Sequence, residues 1–400
     1  MRKAVAESVV DVAAVCDQEQ CIELLEVFEE LANDVSQWVR TAALRSLGAL
    51  VARCGGKEVS PDVVSYFTAM ADPDQDGGGG AGPPGSTDLT YECAFALPAV
   101  ALTLGAERWD ELRGAFDSLC SALQWKVRRT LALSLHELAQ VIGPDAAQDA
   151  LVPAMSRFLR DLDEVAVAAL FAAPKFAAQL RPTDAAGWIA GLPLARVVGE
   201  GGALEAAGES ARDVVSERCK NWRLREALAG TLGQLAQLAG ARVAAEALLP
   251  AALALLRDPV ASVRNRAAEA TPCVLACALV RRSNVRNVAT DALARGTIEA
   301  LRAMSLSSNY RERQLYARVC SHMAREVDTD IMVAEFVPML LRLASDPVAN
   351  VRLELAKTLA GGPLAQHSLL GCLPDVSRAL EALEEDVDAD VSIQAALGAR

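Results

Sequence analysis

Leu248 to Leu279 reads LLPAALALLRDPVASVRNRAAEATPCVLACAL, and this stretch decides the fold. It divides into two apolar helical segments at Asp258-Pro259, a pair that ends one helix before Val263-Arg264 enters the next. In the second segment Val263, Ala267, Ala270 and Val274 recur at helical spacing and share one face. A single helix pair has nothing to bury that face against, so similar pairs must flank it.

The Val-Arg entry serves as a ruler for finding them. It recurs, intact or degenerate, at Met1-Arg2, Val39-Arg40, Val127-Arg128, Val165-Ala166, Leu224-Arg225, Val263-Arg264, Glu312-Arg313, Val351-Arg352 and Val391-Ser392. Successive second positions lie 38, 88, 38, 59, 39, 49, 39 and 40 residues apart. A period near forty is that of HEAT and armadillo repeats; 88 is two periods, while 59 and 49 are single periods with insertions. The expectation is an all-α HEAT-repeat α-solenoid, a superhelix of antiparallel helix pairs forming one array over residues 1–400, with about nine or ten repeats.

Composition agrees. Hydrophobic residues make up 52% and aromatics only 4%, so small and aliphatic side chains must fill the layers, and no sustained strand alternation is present. With 39 basic and 52 acidic residues the net charge is −13, which disfavours nucleic acid and anionic membrane as partners. The apolar run from Pro272 to Val280 is too short to cross a bilayer, and no signal core follows Met1-Arg2-Lys3. A cytoplasmic location, with a nuclear one as the other option, is expected. The ten cysteines are scattered at core positions, as free thiols in a reducing compartment would be.

Two insertions interrupt the repeats: ADPDQDGGGGAGPPGSTDLT over 71–90, which reads as a flexible loop, and a Gly-rich stretch over 199–211. Between Arg181 and Asp213 one short helix is expected around Trp188 to Val198. Residues 1–15 read as the second helix of a pair, so the sequence is expected to be a piece of a longer scaffold.

Candidate functional residues cluster at the turns inside the repeats. QWVR, QWKVRR, NWRLR and NYRER place Trp38, Trp125, Trp222 and Tyr310 just ahead of the entry arginines. Stacked repeats would align these aromatics with Arg128, Arg223 and Arg311 as a partner-binding ridge, since Trp, Tyr and Arg dominate interface hot spots; alternatively each aromatic closes its own turn. Asp34 with Arg40, Asp258 with Arg264 and Asp346 with Arg352 stand six residues apart. This spacing predicts a structural ladder of carboxylate–guanidinium bridges whose aspartates also accept turn N–H groups.

Catalytic signals are absent. Three histidines lie in separate repeats, and the lone His136-Glu137 cannot make a di-iron site. Cys273 and Cys277 share a helix face without a second ligand pair, and no phosphate loop follows a strand. No metal or cofactor is expected, and the chain is read as a non-enzyme.

Asn221–Gly240, NWRLREALAGTLGQLAQLAG, resembles the HEAT repeats of the protein phosphatase 2A scaffold subunit. QWVRTAALRSLGALVA, YECAFALPAVALTLGAERWDELR and LQWKVRRTLALSLHELAQVIG with LVPAMSRFLRDLDEV resemble the protein phosphatase 4 regulatory subunit 1 family. The resemblance spans most of residues 20–360 and is strongest from Tyr91 to Val165. It implies a regulatory scaffold that binds the protein phosphatase 4 catalytic subunit and directs it to phosphoprotein substrates. It also implies contact through the turns carrying Trp38, Trp125, Trp222, Arg223 and Tyr310. The family is longer, and its disordered insertion corresponds to the Gly-rich loop, which is short here. The other reading is a transport or assembly adaptor of karyopherin or condensin type, whose Trp-Asn ladders this sequence lacks.

Overall fold

The computed structural model describes residues 1–53, 59–71, 86–198, 221–279, 288–366 and 373–397. Every regular element among them is helical, and the chain forms two compact units, Met1–Asp184 and Ala185–Arg400.

In the first unit the second helix of each pair stacks on its counterpart. Arg2–Val15 packs on Gln37–Val51, which packs on Ser86–Leu104, then Trp125–Ala146, then Asp163–Ala177. The first helices, Gln18–Ala32, Pro61–Ala69, Trp109–Cys120 and Val152–Phe158, cover one side of that row. Local chemistry sets the starts: Asp17 and Gln20 close a reciprocal capping box, and Ser60 accepts the Val63 N–H ahead of Pro61 at the first turn. Val127, Leu131, Leu135 and Leu138 form a fully buried stripe on one helix, each contributing at most about 1.5–3 kcal/mol of burial.

The second unit repeats the plan. Trp222–Val243, Ala261–Leu279, Tyr310–Glu326, Ala349–Ala360 and Ala389–Ala396 stack in order, with Leu249–Leu255, Val288–Ser305, Val337–Leu341 and Pro374–Glu384 as first helices. Each unit is an α-solenoid of antiparallel helix pairs, as the forty-residue period implied.

Repeat junctions have a shared construction. Gly143 (φ 82°) and Gly240 (φ 77°) bend the chain sharply where one helix gives way to the next. The π turns Ala147–Leu151, Ala244–Leu248 and Met332–Phe336 then precede Pro153, Pro250 and Pro338. A proline ring in a helix clashes with the carbonyl four residues back and offers no N–H; a π turn opens the spiral there and removes both conflicts.

Several elements differ from the sequence expectation. A helix starts at Ser86, inside the stretch read as a loop over 71–90, and Ala71 is buried. Residues 72–85 and 199–211 lie outside the described residues. The single short helix expected around Trp188 is two, Pro182–Ala190 and Leu194–Val198. Trp222–Leu255 is long and apolar enough to cross a bilayer by length and composition, which the short apolar run at Pro272 did not suggest. It is broken at Gly240, and half of its apolar window is buried inside the protein. A second helix in a solenoid is covered by neighbours on both sides and so becomes apolar over much of its circumference.

Candidate partner-binding ridge and ladder

In five of the helix pairs among the described residues, the turn between the two helices is tied by an arginine from the second helix. Arg40, Arg264 and Arg352 each donate Nη1 to the backbone carbonyl six residues earlier, that of Asp34, Asp258 or Asp346, at 2.7 Å. The same Nη1 contact runs from Arg128 to the carbonyl of Ala122 (2.5 Å) and from Arg313 to that of Ser307 (2.8 Å).

The carboxylates go elsewhere. Each pairs with the entry arginine of the preceding repeat, about 33 residues away, through the Nε and Nη2 edge of the guanidinium. Arg128 Nε and Nη2 reach Asp161 at 2.6 and 2.8 Å, Arg313 reaches Asp346 at 2.6 and 2.9 Å, and Arg352 reaches Asp386 at 2.6 and 2.9 Å. Arg225 makes the same bidentate pair with Asp258, and Arg2 Nε lies 2.9 Å from Asp34. This corrects the pairing drawn from the six-residue spacing: within a repeat the arginine meets the aspartate's main chain, while the carboxylate bridges to the neighbouring repeat. One carboxylate oxygen also accepts the N–H two residues on, as in Asp34 with Ser36 (2.7 Å), Asp258 with Val260 (2.8 Å) and Asp346 with Val348 (2.9 Å), while Asp161 accepts that of Leu162 (2.6 Å).

Burial and charge shape these groups. Hydrogen bonding to Arg352 holds the Asp386 carboxyl below its usual range. Burial pushes Asp346 upward, but Arg313 and the Val348 N–H outweigh it and its pKa falls.

The aromatic positions sit at the first turn of second helices. In the first unit Trp38 is 63% exposed and Trp125 37%, both in the opening turn of helices of the same row. In the second unit the sequences NWR and NYR fold identically. Asn221 and Asn309 cap the helix by accepting the N–H of Arg223 (3.0 Å) and Arg311 (3.1 Å). The guanidinium then lies over the aromatic face, Arg223 at 4.8 Å from the Trp222 ring centre and Arg311 at 5.8 Å from that of Tyr310. Each pair sets apolar surface beside positive charge, with Trp222 half-buried under an exposed Arg223 and Tyr310 exposed by 37%. Arg128, expected on the ridge, is instead held in the ladder by Asp161 and by two carbonyls of its own turn.

Sequence reading missed the tips of these turns. Val35, Leu123, Leu162 and Val387 directly follow the aspartate position and are exposed by 90%, 99%, 53% and 99%. At Leu123 the carbonyl turns inward to accept Arg128 Nη1 at 3.0 Å, which throws the side chain outward. An aliphatic residue where a polar turn residue is usual was the available signal.

No group of three or more His, Cys, Asp or Glu among the described residues is arranged to hold a metal. Cys273 donates to the Gly233 carbonyl at 3.5 Å, and the hydrogen bond with Cys277, together with burial, pushes its thiol far above the ordinary range. A thiol held protonated in this way is a poor metal ligand.

Comparison with known proteins matches this architecture. Residues 93–194 match the middle domain of protein phosphatase 4 regulatory subunit 1, and residues 24–54 match the HEAT repeat. Serine/threonine-protein phosphatase 4 regulatory subunit 1 of Mus musculus is 30% identical over 400 residues, covering 94% of this chain and 38% of its own length. The Homo sapiens protein of the same name is 31% identical over 328 residues, covering 78% of this chain and 31% of its own. The chain therefore spans between about a third and two fifths of the length of these relatives. The crystal structure of Kap121p superposes with a TM-score of 0.60 at 14% identity, over 93% of this chain and 37% of that one, and shows a shared fold. On its repeats, its middle-domain match and its identity to these relatives, the chain belongs to the protein phosphatase 4 regulatory subunit 1 family.

Proposed function

We propose that the chain is a non-catalytic scaffold that binds the catalytic subunit of protein phosphatase 4 and holds it beside phosphoprotein substrates. The observation that carries this reading is the pair of capped, stacked plates Trp222–Arg223 and Tyr310–Arg311 on exposed turns. Preordered aromatic and guanidinium groups bury large area at little entropic expense, which is what a binding hot spot requires. Trp38 and Trp125 supply the corresponding surface in the first unit. The ladder ties each plate-bearing repeat of the second unit to the repeat that follows it, Arg225 to Asp258 and Arg313 to Asp346, which fixes the turn on which each plate stands. Rate enhancement then comes from position: tethering enzyme and substrate on one body raises their effective concentration and strengthens joint binding by about 10²–10⁴.

Affinity capture with the tagged chain tests this. Wild type should recover the phosphatase catalytic subunit, and Trp125→Ala with Trp222→Ala should recover at least tenfold less while keeping its helical circular dichroism. Undiminished recovery by the double variant would assign those tryptophans to turn closure, and no recovery by wild type would refute the reading.

A further inference from the structure

Among the described residues of the second unit the ladder has one unfilled rung. Arg225, Arg313 and Arg352 each hold an aspartate of the next repeat on the Nε and Nη2 edge. Arg264 holds only its own turn, through Nη1 to the carbonyls of Asp258 (2.7 Å) and Pro259 (2.8 Å). Where the next repeat should present its aspartate the sequence has Ser307. Two bonds show that Ser307 occupies the equivalent place. Its carbonyl accepts Arg313 Nη1 at 2.8 Å, as that of Asp346 accepts Arg352, and its Oγ accepts the Asn309 N–H at 3.1 Å, as the Asp346 carboxylate accepts Val348. Serine thus closes the turn but brings no carboxylate, and the Nε and Nη2 edge of Arg264 has no partner among the described residues.

That arginine lines an open cleft of about 220 Å³ with Asn265, Tyr310, Arg311, Gln314 and Arg318. Arg318 is neutralised by a bidentate pair with Glu354 (2.8 and 2.9 Å), whereas the Arg311 guanidinium meets Tyr310 and, among the described residues, no carboxylate. No acidic side chain lines the cleft. Two uncompensated guanidiniums therefore meet in one recess on a protein of net charge −13.

We propose that this cleft receives the carboxylate of an aspartate or glutamate on a partner protein, which docks on the free edge of Arg264 and completes from outside the rung that Ser307 omits. A carboxylate is assigned because a planar two-oxygen group fills that same guanidinium edge at Arg225, Arg313 and Arg352. Arg311 supplies the second positive charge at the mouth. This inference rests on the ladder geometry and is independent of which protein the ridge as a whole binds.

The decisive variant is Ser307→Asp, which places the missing carboxylate in the chain itself. The probe is a fluorescein-labelled hexapeptide of alternating glutamate and glycine, titrated at fixed ionic strength against the full 400-residue chain. An equally charged phosphoserine peptide serves as comparison. Ser307→Asp should melt at a higher temperature than wild type and bind the glutamate peptide at least tenfold more weakly. Its gain in melting temperature should vanish when Arg264→Gln is added. Arg264→Gln alone should lose the peptide to the same extent, and Ser307→Asn should bind like wild type. The proposal is overturned if Ser307→Asp stabilises without weakening the peptide, if it fails to stabilise, or if Ser307→Asn weakens binding equally. Tighter binding of the phosphoserine peptide, lost in the same variants, would overturn the carboxylate assignment. Failure to capture a phosphatase catalytic subunit leaves this titration unaffected.

Discussion

Asp258→Asn tests the ladder most directly. The Arg225 and Asp258 side chains are 7% and 5% exposed, so this pair lies deepest among the rungs. Removing one charge of a buried pair leaves the other uncompensated at about 3–5 kcal/mol. Asparagine keeps its side-chain oxygen for the Val260 N–H and for one hydrogen bond from the Arg225 guanidinium, which returns about 1 kcal/mol. The expected loss is therefore about 2–4 kcal/mol. Arg225→Met should lose a similar amount, while the double variant should lose less than the sum because no charge remains stranded. A coupling of about 1.5–3 kcal/mol follows. Because a repeat array need not unfold in one step, two probes are required: Trp222 fluorescence in urea, and hydrogen exchange across Ala261–Leu279. A loss under 0.5 kcal/mol in both single variants, roughly the size of an ordinary surface substitution, would refute the view that these rungs bind repeat to repeat.

Acid should weaken the second unit, because the folded-state pKa values of Asp346 and Asp386 lie below their unfolded values. Their stabilisation is fully present above the unfolded carboxylate value of about 3.9 and is lost as pH falls through the lower folded values, so the urea midpoint should drop in that window and drop less in Asp386→Asn. Gly48→Ala would set a Cβ 2.3 Å from that of Ala96 and should destabilise by about 1–3 kcal/mol in thermal melts. Gly114→Ala meets nothing within 4 Å on an exposed helical position and should stabilise by about 0.5–1 kcal/mol. Gly240→Ala has space but a φ of 77°, so it should destabilise by about 1–2 kcal/mol and lower the melting temperature despite making no clash.

The helix pairs were legible because burial on one face writes itself into spacing: Val263, Ala267 and Val274 recur at helical intervals and are all fully buried. The partners of the aspartates were not. Asp258 and Arg264 are near in sequence, but Arg264 meets only the main-chain carbonyl of Asp258, while the carboxylate takes the Nε and Nη2 edge of Arg225 in the repeat before. Sequence distance records the turn; the stacking distance, about 33 residues, belongs to the repeat and shows only once the layers are placed. The stacked Trp222–Arg223 and Tyr310–Arg311 plates were half visible, since adjacency was plain while the asparagine cap that orients them needed coordinates. The start at Ser86 was hidden because glycines upstream dominate a composition reading of that region.

Each rung runs one way, from an arginine in one layer to an aspartate in the next, while that arginine's remaining donor stays within its own layer. A cut across a filled rung would therefore bare guanidinium on one side and carboxylate on the other, two complementary surfaces. A module bounded by filled rungs leaves, when added or removed as a whole, a seam that can rejoin without stranding a charge at the splice.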